Sequence, residues 1–256
     1  MTEIPKDHPR YESLITREKI VQGVDIGITS KQGLVAQGRG EAFDYFIGEK
    51  TIESAAIAER AAVAHLLLAE NPIISVNGNT AALVPDLMVS LADVSGARLE
   101  VNLFHRSDAR VHRISEHLKA HGARVVLGGK GDKRLDLSHD RGIVDEEGIF
   151  KADVVLVPLE DGDRCHKLVE MGKTVIAIDL NPLSRTTLTA TVSIIDNVTR
   201  ALSNMVQFTK DMKGKSRDSL HAIIDAYDND RVISDALYSM QENLKNKAEE
   251  RGITWT

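Results

Sequence analysis

Apolar residues in this 256-residue chain fall into two periodicities. Short continuous runs rich in Val, Ile and Leu occupy 73–76, 99–103, 125–127, 154–157, 175–178 and 190–195. They do not alternate with polar residues, so each predicts a strand buried on both faces, as in a parallel sheet. The stretches between most of them repeat at helical spacing. The segment 51–69 is Ala-rich and places Ile52, Ala55, Ala56, Glu59 and Val63 along one side. The segment 80–93 is similar, and 108–120 carries a narrow stripe of Val111, Ile114 and Leu118. Strands alternating with helices predict a doubly wound α/β fold with right-handed crossovers.

Two regions depart from this rhythm. The segment 128–150 has five glycines, mixed charges and no helical stripe, which predicts an ordered excursion, a hairpin or a flap. From 218 to 250 the pattern predicts two helices broken near Asp228-Asn229-Asp230. There Ile233, Leu237, Met240 and Leu244 form an apolar seam, against the chain's own sheet or against a second subunit. The expected organisation is a single domain over 1–256. Its core lies at about 70–212, with a helical segment 1–69 before it and a helical extension 213–256 after it.

Composition narrows the function classes. Lys plus Arg is 32 and Asp plus Glu is 38, a net charge of −6, with 42% hydrophobic and 27% charged residues. These values exclude a disordered chain and a collagen-like fibre and disfavour nucleic acid as partner. Cys165 is the only cysteine, so no intrachain disulfide forms and a reducing cytoplasm is expected. The N-terminal residues lack a signal-like apolar run, and the apolar stretch at 61–69 is too short for a bilayer, so no membrane is expected.

Open α/β sheets bind ligands beyond the carboxyl ends of their strands. Here those ends carry Asn77-Gly78-Asn79-Thr80, then His105 and Arg106, then Glu160-Asp161-Gly162-Asp163, then Asp179-Leu180-Asn181 with Arg185-Thr186, and lastly Asp196-Asn197. Polar turn residues are common singly, but this many on one edge predicts a polar-ligand site. Two cationic segments precede the core: Arg17 with Lys19, and Gly38-Arg39-Gly40. A guanidinium between glycines suits close bidentate contact with phosphate, and it equally suits a solvated turn.

Other motifs fail. Gly129-Lys130-Gly131 continues to Arg134 where a dinucleotide fingerprint needs its third glycine, and no Gly-x4-Gly-Lys-[Ser/Thr] exists. His117 and His121 stand at i, i+4 without a third ligand and read as surface histidines. Cys165, flanked by Arg164 and His166, lacks a redox or protease pattern and reads as a structural or surface thiol. The residues alone support an anionic, nucleotide-like ligand and leave open a ligase, a kinase-like phosphoryl transferase or a non-catalytic nucleotide-binding regulator.

Several longer runs carry a resemblance. They are Ile4-Pro5-Lys6-Asp7-His8-Pro9-Arg10-Tyr11-Glu12-Ser13-Leu14, Thr16-Arg17-Glu18, Ala36-Gln37-Gly38-Arg39-Gly40-Glu41-Ala42-Phe43-Asp44-Tyr45, Val76-Asn77-Gly78-Asn79, Val101-Asn102-Leu103-Phe104-His105-Arg106, Pro158-Leu159-Glu160-Asp161-Gly162-Asp163-Arg164 and Ile178-Asp179-Leu180-Asn181-Pro182-Leu183-Ser184-Arg185. With them the chain resembles, over roughly 4–212, the archaeal-type phosphopantothenate synthetases, also called 4-phosphopantoate–β-alanine ligases. The resemblance implies a Rossmann-like homodimer in coenzyme A biosynthesis, joining 4-phosphopantoate to β-alanine while ATP, with Mg²⁺, yields AMP and diphosphate. It implies ATP contacts at Arg17, Arg39, Asp179, Leu180, Asn181, Arg185, Thr186, Asn197 and Val198. On that reading Arg17 and Arg39 stabilise the departing diphosphate. The substrate phosphate is expected at Asn77, Gly78, Asn79, His105 and Arg106. His105 is counted as catalytic, and His105 and Asp161 are the candidates to take the amine proton.

Overall fold

The computed structural model describes residues 4–8 and 10–253; Pro9, within the first run of the resemblance, lies outside the described residues together with 1–3 and 254–256. Six parallel strands form the main sheet: β1 (Pro72–Val76), β2 (Arg98–Val101), β3 (Val126–Leu127), β6 (Val154–Pro158), β7 (Thr174–Ile178) and β8 (Val192–Ile194). A separate antiparallel pair is β4 (Lys133–Arg134) with β5 (Ile143–Val144). The main sheet runs β3-β2-β1-β6-β7-β8. Counted within that sheet, this is the 3-2-1-4-5-6 order of a Rossmann fold, whose switch point lies between β1 and β6.

Eleven helices accompany the strands: α1 (Tyr11–Asp25), α2 (Lys31–Ile47), α3 (Glu53–Leu68), α4 (Gly78–Leu83), α5 (Pro85–Ser95), α6 (Asp108–Ala120), α7 (Gly162–Glu170), α8 (Arg185–Thr189), α9 (Val198–Met212), α10 (Arg217–Asp225) and α11 (Asn229–Glu249), counted among the described residues. None is long and apolar enough to cross a membrane.

The continuous apolar runs do what their pattern requires, because strand side chains alternate between faces. Ile74, Val76, Leu99, Leu156, Ile176 and Ile194 pack in the core cluster that also holds residues of α3, α5, α6 and α9. Ile73, Val155, Val157, Val175 and Ala177 face the other way, with Leu168 of α7 and Leu135, Val144 and Ile149 of the excursion. Burying each large aliphatic side chain stabilises the fold by roughly 1.5–3 kcal/mol.

Three details differ from the sequence expectation. The helix expected at 80–93 is two helices: Val84 leaves helical geometry (φ −140°, ψ 41°), and Pro85 restarts the chain as the first residue of α5. The last strand is shorter than 190–195. The C-terminal seam divides: Met240 is buried with Ile47, Leu180 and Ile195 and Ile233 is also buried, whereas Leu237 and Leu244 are exposed.

The excursion at 128–150 is ordered by two buried carboxylates. Glu100, on β2, accepts the N–H groups of Asp145 (3.0 Å) and Ile149 (2.6 Å). Asp145 accepts those of Gly128 (2.8 Å) and Gly131 (2.7 Å). Burial lifts the Glu100 carboxyl to about 7, against the pull of those N–H donors.

Candidate active site

The carboxyl ends of the strands are roofed from two sides, and the N-terminal helices supply one roof. Thr29, between α1 and α2, bonds Asn79 (Oγ1 to Oδ1, 2.5 Å), and Asn79 Nδ2 donates to the Gly33 carbonyl at 3.0 Å. Lys19 reaches the Leu83 carbonyl (3.1 Å), and Arg110 Nε donates to that of Ile28 (2.9 Å). Gly33 is needed here, because a Cβ would stand 2.6 Å from Thr29 Oγ1 and closer still to Asn79. Farther along, α2 packs Phe43 and Ile47 against Leu180 and Ile195.

This roof carries Arg39 to the end of β7. Burial holds the Asp179 carboxyl above its ordinary pKa, against the Ser184 and Asn181 hydrogen bonds and, last, the charge of the exposed Arg39. The Asp179 carboxylate accepts from Ser184 Oγ (2.6 Å) and the Asn181 N–H (2.9 Å), so the strand exit is a rigid turn leading into α8. Leu180 is buried beneath the roof, a Cβ built on Gly40 lying 3.6 Å from it. Thr186, also buried, donates to the Glu160 carbonyl (2.9 Å), and Arg185 lies over Gly162. Arg17 is exposed on α1, and its charge is felt at Glu41 of α2. The two arginines therefore share the α1–α2 roof, with Arg39 next to the Gly40 that packs toward Leu180.

At the end of β8, Asn197 caps α9 by accepting the Thr199 N–H (3.1 Å), and Val198 is buried behind it. Asn197 Nδ2 also donates to Asp44 of α2 (2.9 Å). Arg200 clamps Asp44 and Asp196, each at 2.6 Å. Burial opposes charge on Arg200, but the two carboxylates outweigh it and raise its pKa. A cavity of about 440 Å³ opens here, lined among others by Lys6, Arg10, Glu41, Asp44, Asn197 and Arg200. Behind it stands Glu59, fully buried, bonded through Asn204 (3.3 Å) and lifted to about 8 by burial and by Asp196.

At the switch point, Asn77 caps α4 and Leu159, just past β6, takes a left-handed conformation (φ 54°) that a branched side chain seldom adopts. Gly78 is covered by the Ile28 carbonyl, Thr29 and the Arg110 guanidinium, which leave no room for a Cβ. The side chains of Asn77 and Asn79 are both bonded to protein.

The excursion supplies the other roof. Arg141 pairs with Glu160 (3.1 Å) and Asp161 (2.5 Å), and the fully buried Arg164 shares Glu160. Asp161 is pushed upward by burial despite Arg141. His139 bonds Asp163 (3.2 Å) and stacks on Phe104 at 5.0 Å, and the exposed His105 ring meets Phe104 edge-on at 4.9 Å. Arg106 donates to the Gly128 carbonyl at 2.6 Å.

Sequence reasoning did not reach Arg110, Arg141 or Arg200. For Arg200 a signal existed: it follows Asp196 at i, i+4 across a helix start. For Arg141, in an aperiodic segment, none did. Cys165 is fully buried, with its thiol pushed to about 12 by burial, and is no nucleophile.

Fold and site together define a Rossmann-type α/β protein whose ligand rim is enclosed by its own N-terminal helices and a charged excursion. The sequence pattern of the phosphopantothenate/pantothenate synthetase family matches residues 54–243. The chain is similar to proteins named 4-phosphopantoate–β-alanine ligase. The one from Methanosarcina mazei is 66% identical over 98% of this chain and 100% of its own length. Those from Thermococcus kodakarensis (54% identical, covering 98% and 97%) and Methanospirillum hungatei (53%, covering 95% and 98%) bear the same name. The chain belongs to the phosphopantothenate/pantothenate synthetase family.

Proposed function

We propose that this chain is an ATP-dependent ligase of coenzyme A biosynthesis that condenses 4-phosphopantoate with β-alanine, acting as one domain in the cytoplasm. The observation that carries the reading is the cover of α1–α2 over the end of β7, where a Cβ on Gly40, next to Arg39, would lie 3.6 Å from Leu180, in a chain whose relatives share that name along nearly their whole length.

The chemistry follows from the leaving groups. A carboxylate cannot release oxide to an amine. Attack of the pantoate carboxylate on the α-phosphorus of ATP expels diphosphate and gives an acyl adenylate. Attack of the β-alanine amine on its carbonyl then expels AMP and releases a proton. No side-chain nucleophile is required. Arg39 and Arg17 offset the charge of the departing diphosphate, a contribution worth several kcal/mol where water is excluded. Asp179, Leu180 and Asn181 form the wall for the ribose and base, Arg185 and Thr186 lie by the α-phosphate, and Asn197 and Val198 close the far end.

Mg²⁺ would arrive on the triphosphate oxygens. Both Asp179 oxygens already accept hydrogen bonds, so this donor set fits an ion carried by the nucleotide better than a protein cage. Bound there, it would neutralise phosphate charge. The substrate phosphate lies toward Gly78, His105 and Arg106. Asn77 and Asn79, whose side chains are engaged internally, hold the loop that receives it. His105 and Asp161 are the candidate acceptors of the amine proton.

The family resemblance also implies a homodimer, for which light scattering should give twice the chain mass. The deciding experiment is product identification with ATP, 4-phosphopantoate and β-alanine, omitting each in turn. AMP and diphosphate formed only with the pantoate substrate present support the ligase. ADP, or no product at all, removes it.

A further inference from the structure

An ammonium must shed two protons to become an amide N–H, and the second leaves as the new bond forms, so its acceptor has to be held in place. The side chains at the exits of β2 and β6 differ in how well they are held. His105 is exposed, and no described residue hydrogen-bonds its ring, so nothing selects a tautomer. Asp161 is paired through Oδ2 with Arg141 at 2.5 Å, which engages its charge. His139, in the excursion, is fixed from several sides. Its Nε2 lies 3.2 Å from Asp163 Oδ2. Burial pushes the Asp163 carboxyl up, but its own backbone N–H, His139 and the charge of Arg185 outweigh burial and hold it below the ordinary range. An ionised carboxylate only accepts, so the ring hydrogen stays on Nε2 and Nδ1 carries the lone pair. The ring stacks on Phe104 at 5.0 Å with 25° between the planes, and the His139 carbonyl accepts the Gly142 N–H at 3.0 Å. Nδ1 itself is buried and has no hydrogen-bond partner among the described residues. A lone pair left without a donor is costly, and a ligand that brings an N–H removes the cost. The His139 side chain is 15% exposed and Phe104 43%, so the pair belongs to the rim and not to the core.

We propose that His139, oriented by Asp163, takes the amine proton as the amide bond forms. This rests on the ligase reading and puts His139 in the role for which His105 and Asp161 were the candidates. The location suits it. Asp163 follows Gly162 at the start of α7, and a Cβ on Gly162 would stand 2.5 Å from the Cβ of Arg185, next to the Thr186 that donates to the Glu160 carbonyl. The pair is therefore adjacent to the two residues assigned to the α-phosphate, the group from which the acyl carbon departs. One ammonium proton goes to water as the free amine forms. The amine lone pair then bonds the acyl carbon, the electrons of the bond from that carbon to the phosphate oxygen leave with AMP, and the second proton passes from nitrogen to His139 Nδ1. The imidazolium keeps its Nε2 hydrogen on the Asp163 carboxylate and returns the Nδ1 proton to water. Asp163 touches no reacting atom and is a positioning residue.

The two half-reactions separate this role from a structural one. Exchange of labelled diphosphate into ATP, in the presence of 4-phosphopantoate and without β-alanine, reads adenylate formation alone. Single-turnover consumption of the preformed adenylate by β-alanine reads amide formation alone. His139→Ala should leave the exchange rate within about 2-fold and slow amide formation at least about 10²-fold. Added imidazole should restore part of the lost rate, because it supplies the missing base in the space left by the side chain. Asp163→Asn should slow amide formation at least about 10-fold, again with exchange within about 2-fold. Equal losses in the two half-reactions, a normal rate of amide formation, or no rescue by imidazole in a folded His139→Ala overturns the assignment. If His139→Ala does not fold, Asp163→Asn decides by the same split, and equal effects on both steps overturn it. Absence of both exchange and turnover in the wild type overturns the ligase reading and this assignment with it, whereas a fully active His139→Ala overturns the assignment alone.

Discussion

Asn77, at the exit of β1, donates its amide hydrogens to the carbonyls of Pro158 (2.8 Å) and Leu159 (3.3 Å), at the exit of β6. Its Oδ1 accepts the Thr80 N–H at 3.0 Å, and Thr80 Oγ1 in turn accepts the Asn77 N–H at 3.0 Å. One side chain thus closes the switch point and starts α4, with no bonding capacity left over. Asn77→Ala should destabilise the fold by about 1–3 kcal/mol in denaturant titration, since buried carbonyls and a helix cap lose their partner together. Its loss of activity should fall on both substrates. A selective rise in the phosphopantoate KM without loss of stability would place Asn77 against the ligand instead.

The α1–α2 roof depends on close approach at Gly33. Gly33→Val should push Thr29 and Asn79 apart and cost about 1–3 kcal/mol, with the ATP KM raised because Arg39 rides on the same helix. Unaltered nucleotide affinity in the folded variant would show that the roof is not needed for ATP.

The sheet was legible because continuous Val and Ile runs have few other fates, and its carboxyl ends were legible because polar residues follow each run directly. What the sequence hid came from contacts between distant segments. Arg141 meets Glu160 and Asp161 only because the Glu100 and Asp145 carboxylates fold the glycine-rich excursion back over β2. Arg110 belongs to the helix after β2, yet its orientation is set by the Ile28 carbonyl of the N-terminal roof. Glu59 fell on the apolar side of its predicted helix, so its burial was readable. Its raised pKa comes first from that burial and then from Asp196, far along the chain, and the second contribution was not readable.

Glu59 makes stability depend on pH. Its folded pKa, about 8, lies above the ordinary carboxyl value of 4.5. The folded state therefore holds the proton more tightly, and stability present below about pH 4.5 is lost as pH rises toward 8. Glu59→Gln keeps the shape and removes the titration. Thermal melts from pH 5.5 to 8.5 should show the wild type losing on the order of a few kcal/mol from this group and the variant losing less. Parallel curves would mean that Glu59 is ionised in the fold.

Arg39 allows the sharpest separation of chemistry from folding. It is exposed, and its interaction with Asp179 is electrostatic across the rim, so Arg39→Ala should leave the melting temperature nearly unchanged. Turnover should nevertheless fall at least about 10²-fold if the guanidinium stabilises charge that forms only as diphosphate departs. Arg39→Lys should recover part of this, because a point charge replaces the fork. Removing the cation also lets the Asp179 pKa rise further, so the acid limb of the pH–rate profile should move to higher pH in Arg39→Ala and return toward the wild type in Arg39→Lys. Near-normal turnover with an unmoved acid limb would take Arg39 out of the mechanism and leave the α1–α2 pair as a cover alone.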